Sequence, residues 1–180
     1  MSDVFERAII THCAPTLAGH KCGSLFSWHG CPDALHVDEA DGVLSRKGVR
    51  VRVIRSCAKS ALIYVYRPEK LAARLKDNAV REFLAGEGYE DMSMDSCLEQ
   101  LSQRVVCGRE FPHEIGVFLD YPLEDVIGFI NIAEMNTNVW DAGKPMEMRR
   151  RRKSALRCIE SASASILIVT GADSVFCGSP

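Results

Sequence analysis

His113 and Glu114 stand side by side in Phe111-Pro112-His113-Glu114-Ile115-Gly116, a polar pair inside an apolar stretch of the 180-residue chain. A histidine changes charge near neutral pH, and an adjacent carboxylate can orient it, so the pair has the makings of an acid and a base. Neighbours in sequence point in different directions on a helix or strand, so each residue can equally cap or close a turn by itself. The pair does not open a His-Glu-x-x-His metal motif, because residue 117 is Val. His113 and Glu114 are therefore the catalytic candidates, and turn-capping is the plainer reading of both.

A second group comprises Cys13, Lys21 and Arg55. A thiol becomes a nucleophile when its pKa is lowered. Cys13 falls near the C-terminal end of a predicted helix, where the helix dipole disfavours a thiolate. The three residues accordingly read as the lining of a ligand site and not as covalent machinery. Arg55 joins Arg50, Arg52 and Arg67 as a basic set on a predicted hairpin, suited to phosphate or carboxylate. Solvated strand arginines are the commoner arrangement.

Soft donors cluster early: His12, Cys13, His20, Cys22, His29, Cys31 and His36. Imidazole and thiolate together suit zinc and other transition metals. The cysteines among them recur every nine residues, which fits no zinc module, so no metal site is assigned. The chain has no phosphate-binding glycine loop, no Gly-x-Gly-x-x-Gly and no Gly-x-Ser-x-Gly. Nothing in it identifies a cofactor.

Composition narrows the class of protein. Hydrophobic residues make up 47% and charged residues 26%, ordinary for a globular domain of this length. No apolar run is long enough for a transmembrane helix. The first residues lack the basic and apolar regions of a secretory signal. A cytoplasmic location is expected, with the eight cysteines reduced. The net charge of −2 conceals an acidic excess before residue 140 and a basic excess after it, concentrated in Arg149-Arg150-Arg151-Arg152-Lys153. Such a run can bind nucleic acid.

The elements that must position the candidates follow from periodicity. Val4, Phe5, Ala8, Ile9 and His12 share a helical face, and Pro15 is expected to end that helix. Residues 27–47 show no sustained period and read as a loop. From residue 48, Val49, Val51 and Val53 alternate with Arg50 and Arg52 as a half-buried strand. A five-residue polar link leads to a second strand over 61–66, and so short a link favours an antiparallel hairpin. Pro68 suits a helix start, with Leu71, Leu75, Ala79 and Phe83 stepping down one face. Another helix opens near Ser93 with Met94, Leu98, Leu101 and Val105 inward, and a last one follows Tyr121-Pro122.

Several of these residues also carry a resemblance. His12-Cys13-Ala14-Pro15-Thr16-Leu17-Ala18-Gly19, Lys21, Arg55, Val65-Tyr66-Arg67, Phe111-Pro112-His113-Glu114-Ile115-Gly116 and Tyr121-Pro122-Leu123-Glu124-Asp125-Val126 resemble the bacterial domain-of-unknown-function family 3793 over about residues 1–135. The resemblance implies no established activity, substrate or cofactor. It implies Gly where this chain has Asp120. It also implies a C-terminal strand of the form Gly-x-Trp-Lys-Val-Tyr-Gly-Asp, where this chain reads Trp140-Asp141-Ala142-Gly143-Lys144-Pro145-Met146-Glu147-Met148. Codons for those residues, read two bases later, permit Gly-Cys-Trp-Lys-Thr-Tyr-Gly-Asp. A frameshift near residues 135–138 is the expectation, and it makes the arginine run a by-product and not a nucleic-acid patch.

The sequence thus predicts an α+β fold: a small antiparallel sheet, with hairpin 48–66 and, in intact relatives, a C-terminal strand, packed against three or four helices on one face. Residues 1–139 form one domain and 140–180 an aberrant tail. The function expected is that of a small-molecule-binding or accessory protein, its Cys13–Lys21 and His113–Glu114 loops lining one pocket. The alternatives are a small enzyme using His113, and a metal-binding protein using the N-terminal His and Cys. The partner is an unspecified small molecule or protein, with no membrane and no nucleic acid.

Overall fold

The computed structural model describes residues 3–29, 34–58, 60–105 and 111–138. Seven helices and three strands lie within them: α1 Asp3–Leu17, β1 Gly23–His29, α2 Ala34–Ser45, β2 Arg50–Cys57, β3 Ser60–Tyr66, α3 Pro68–Leu75, α4 Asn78–Gly86, α5 Met94–Arg104, α6 Ile115–Phe118 and α7 Leu123–Asn138. The fold is α+β, and the expected hairpin is present as β2 and β3.

The strands form one antiparallel sheet in the order β1-β3-β2. Along β1 and β3, Gly23 lies opposite Tyr66 and His29 opposite Ser60. Along β2 and β3, Arg50 lies opposite Tyr66 and Cys57 opposite Ser60, with a bulge between Val53 and Arg55. The bulge switches the strand's inward side: Val49 and Val51 face one core, whereas Ile54 faces the other.

Both faces of the sheet are covered, not one. On the first face Phe5, Ile9 and Cys13 of α1 and Val37 and Ala40 of α2 pack on Phe26, Val51, Ala61, Ile63 and Val65. On the second, Leu71 and Leu75 of α3, Val80 and Leu84 of α4, Leu98 and Leu101 of α5 and the Ile115–Leu119 segment pack on Leu62, Tyr64 and Tyr66. Strand β3 is central and, from Ala61 to Tyr66, buried at every step, as a strand covered on both sides must be.

Four local expectations are corrected. Helix α1 continues through Pro15 to Leu17; in this last turn Pro15 still offers its carbonyl, which accepts from the N–H of His20 and of Lys21. Residues 27–47 are largely regular, holding the end of β1 and all of α2. The four-step stripe from Leu71 to Phe83 belongs to two helices, because Asp77 caps α4 through its side chain on the Ala79 N–H. Leu71 and Leu75 are buried in α3, and Val80 and Leu84 in α4. The third strand among the described residues is β1; the expected C-terminal strand and the arginine run lie outside them, and the expected frame boundary near 135–138 falls in the last turn of α7.

Candidate functional site

The 111–126 stretch folds as a tight turn followed by the four-residue α6. Pro112 and His113 carbonyls accept from the N–H of Ile115 and Gly116 at 3.2 Å each. Ile115, Gly116, Val117 and Phe118 are all buried, so the apolar run anchors the turn, with a polar residue at each of its two ends. Gly116 is favoured by contact: a Cβ there would lie 2.8 Å from Val126 Cγ2 and would force the pair apart.

At the first end Glu114 is 3% exposed. Its Oε1 accepts from Arg104 Nη1 at 3.0 Å and from the Tyr89 hydroxyl at 3.4 Å. The Arg104 guanidinium lies 4.5 Å from the Tyr89 ring centre and also donates to the Glu87 carbonyl. Burial, then the negative charge of Glu114, pushes the Tyr89 phenol well up from its ordinary range. This closed arrangement ties α5, the turn after α4 and α6 together, and it engages the carboxylate expected to stand beside His113 as its partner. His113 turns away from it, ring edge-on to Phe129 of α7 with centroids 5.0 Å apart. The two adjacent residues thus do separate things.

At the second end the stretch meets the turn between α1 and β1. The Cys22 N–H donates to Asp120 Oδ2 at 3.0 Å. The Cys22 thiol and the Tyr64 hydroxyl both donate to the Phe118 carbonyl. Lys21 Nζ stands 4.8 Å above the Tyr121 ring. Gly23 permits this closeness, since a Cβ would come within 2.3 Å of Tyr64 Oη and 2.5 Å of the Phe118 oxygen. Asp120 adopts φ 68°, the left-handed region that side chains other than glycine seldom enter.

Helix α3 supplies the third wall. Lys70 donates to the Gly19 carbonyl and Arg74, four residues on and so on the same helical side, to the Tyr121 carbonyl. Arg67, at the start of α3, donates through Nε to Thr16 O at 2.7 Å and through Nη2 to Leu17 O. A cation at the carbonyl end of α1 is also favoured by its dipole. The buried Thr16–Ser24 hydroxyl pair, 2.7 Å apart, fixes α1 against β1 beside it.

The expected ligand residues divide. Lys21 is half-buried at this junction, whereas Cys13 is fully buried in the first core, where desolvation pushes its thiol up to about 12. Burial, reinforced by Asp120 and opposed by Arg74 and Lys70, likewise pushes Cys22 up to about 12. Neither is a nucleophile near neutral pH. Arg55 lies over Phe111, 5.7 Å from its ring centre. The arginine set of the hairpin is dispersed: Arg50 pairs with Asp41 and Arg52 with Glu99, each at 2.8 Å. Cys13, Cys22 and Cys97 are free thiols, whereas Cys57 is disulfide-bonded, which corrects the expectation of eight reduced cysteines. Among the described residues no three metal-ligating side chains come together.

Sequence reasoning missed Lys70, Arg74, Asp120 and Arg104. The first two are recoverable as an i, i+4 pair on one side of α3, and Asp120 as a turn former before Tyr121-Pro122. Arg104 carries no local signal, since its partner lies across a separate connection.

These features define a small α+β protein whose sheet is sandwiched between helices and whose polar junction joins α3 to two turns. The chain belongs to the protein family of unknown function DUF3793, whose model matches residues 9–163 and so runs past the boundary near residue 135 that the sequence suggests. No curated protein and no solved structure matches it significantly. No helix among the described residues is long and apolar enough to cross a membrane.

Proposed function

We propose that this chain is a cytoplasmic small-molecule-binding or accessory protein, with its ligand site at the junction of the α1–β1 turn, the Phe118–Tyr121 turn and α3. One observation carries the reading: Lys21, Lys70, Arg74 and Asp120 gather charge at a half-buried place where three separate segments meet. Binding sites favour rigid scaffolds bearing such polar turns. The engaged state of Glu114 and the high thiol pKa values favour binding over covalent or acid–base chemistry. The buried free thiols fit a reducing compartment, and the Cys57 disulfide is the observation against it.

The test is a thermal-shift screen of metabolites against the wild-type chain and Lys21→Met. A compound that raises the melting temperature of the first and not the second supports the site. Hits indifferent to Lys21→Met place binding elsewhere. An acid–base role for His113 is the competing reading, supported by its half-exposed ring. His113→Gln with binding kept and turnover lost would favour it. The proposed frame change lies beyond this site, and sequencing the underlying DNA tests it.

A further inference from the structure

We infer that Arg55 marks a second binding place, for the carboxylate of a small molecule with a flat or apolar body, at the end of the 111–126 stretch away from Lys21. Arg55 lies opposite Leu62 on β3, so past the bulge it shares the second face of the sheet with Leu62. Its guanidinium carbon stands 5.7 Å from the centre of the Phe111 ring, and Phe111 packs against that same core. The Arg55 Nε is closed off from solvent and makes no hydrogen bond, and among the described residues no carboxylate pairs with this side chain. A buried donor without an acceptor is costly, and native structures hold few of them.

The other arginines are provided for. Arg52, which faces the same side opposite Tyr64, is taken up by Glu99, and Arg50 by Asp41. Arg74 also has a buried Nε without a partner, but its Nη2 donates to the Tyr121 carbonyl. Among the described residues Arg55 donates to nothing. A guanidinium laid over an aromatic ring is already oriented, and its N–H groups form the fork that matches a carboxylate. One cation balances one negative charge, so a monocarboxylate suits this place better than a phosphate, which draws on several donors. Apolar surface for the rest of the ligand is close. His113, at most about 7 Å from Phe111 between Cα atoms, lies edge-on to Phe129, which is 44% exposed. The place is distinct from the Lys21 junction, which meets β3 at Tyr66, opposite Gly23. Leu62 and Tyr66 are about 13 Å apart along the strand.

The experiment titrates the full chain calorimetrically, at constant ionic strength, with benzoate, with its uncharged analogue benzamide and with inorganic phosphate. Wild type is expected to bind benzoate at least about tenfold more tightly than benzamide, and Arg55→Met to lose at least about tenfold in benzoate affinity. Arg55→Lys, which keeps the charge without the fork, is expected to fall between the two. Lys21→Met is expected to bind benzoate as wild type does. No binding by wild type at about 50 mM benzoate, or unchanged affinity in a folded Arg55→Met, overturns the inference. Should Arg55→Met fail to fold, equal affinity of wild type for benzoate and benzamide overturns it as well. Phosphate bound as tightly as benzoate, and through Arg55, overturns the choice of a carboxylate. A loss in Lys21→Met as large as that in Arg55→Met overturns the separateness of the place. Glu110, one residue before Phe111 in the sequence, is the chain's own rival for Arg55. A gain of about tenfold in benzoate affinity on Glu110→Gln would show that the chain itself fills the place, and overturns the inference.

Discussion

Arg104 Nη1 and Glu114 Oε1 meet at 3.0 Å, joining the last turn of α5 to the entry of α6. The carboxylate side is 4% exposed and the guanidinium 34%, so the pair is lopsided in its burial. Removing Arg104 strands a buried charge, whereas removing Glu114 leaves a cation that reaches water. Arg104→Met should therefore destabilise more than Glu114→Gln. About 3 kcal/mol for the first and about 1 kcal/mol for the second are expected, after allowing for the exposed end. Urea midpoints of the two variants and their double mutant measure this. Equal costs, or strict additivity, would show that the pair does not act as a unit.

Thiol reactivity and alkaline stability follow from the same burial. Cys13 and Cys22 rise from 9.0 to about 12 on folding. The folded state holds these protons more tightly, so their contribution is full below pH 9 and fades as pH climbs towards 12. The upward shifts of Tyr64 and Tyr66 act in the same direction. Urea midpoints should fall steadily above about pH 9. In the native protein at about pH 8, iodoacetamide should leave Cys13 and Cys22 unlabelled by peptide mass spectrometry, and urea should expose both. Rapid native labelling of either would contradict their placement.

Gly116 and Val126 form a steric couple. Ala at 116 drives its Cβ into Val126 Cγ2, and Gly116 has no positive φ to complicate the reading. Gly116→Ala should cost about 1–3 kcal/mol. In a Val126→Ala background the same change should cost less, by at least about 0.5 kcal/mol. A double-mutant cycle on denaturation midpoints reads the coupling. No coupling would mean that the helix α7 contact is not what excludes a side chain there.

Arg67 caps the carbonyl end of α1 with a fork, reaching Thr16 and Leu17 together. Lysine brings the charge without the fork. Arg67→Lys should cost about 1–2 kcal/mol and raise amide exchange at the end of α1 before it affects α5. Uniform loss of protection across the chain would argue that the cap has no local role.

The hairpin was legible because β2 and β3 announce themselves by period and by a short polar link. Helices α3 and α5 were legible from Pro68, Ser93 and their apolar stripes. Strand β1 was not, since Gly23-Ser24-Leu25-Phe26-Ser27-Trp28-His29 mixes small, polar and aromatic residues, and its pairing with β3 is a long-range fact. Helix α2, in Ala34–Ser45, was hidden by Gly42 and its acidic residues, and tertiary packing of Val37 and Ala40 outweighs that weak propensity. The site was half legible. Lys21 and the 111–126 stretch were visible, but that the stretch meets Lys21 through Tyr121 and Cys22 through Asp120, and not through His113, depended on which end of α6 faces β1.

Strand β3 gives the molecule a bulkhead. Its odd-numbered residues Ala61, Ile63 and Val65 serve one compartment, and Leu62, Tyr64 and Tyr66 the other. Both compartments therefore hang on one strand, and a substitution in β3 disturbs the α1–α2 side or the side that holds Phe118 according to whether its number is odd or even.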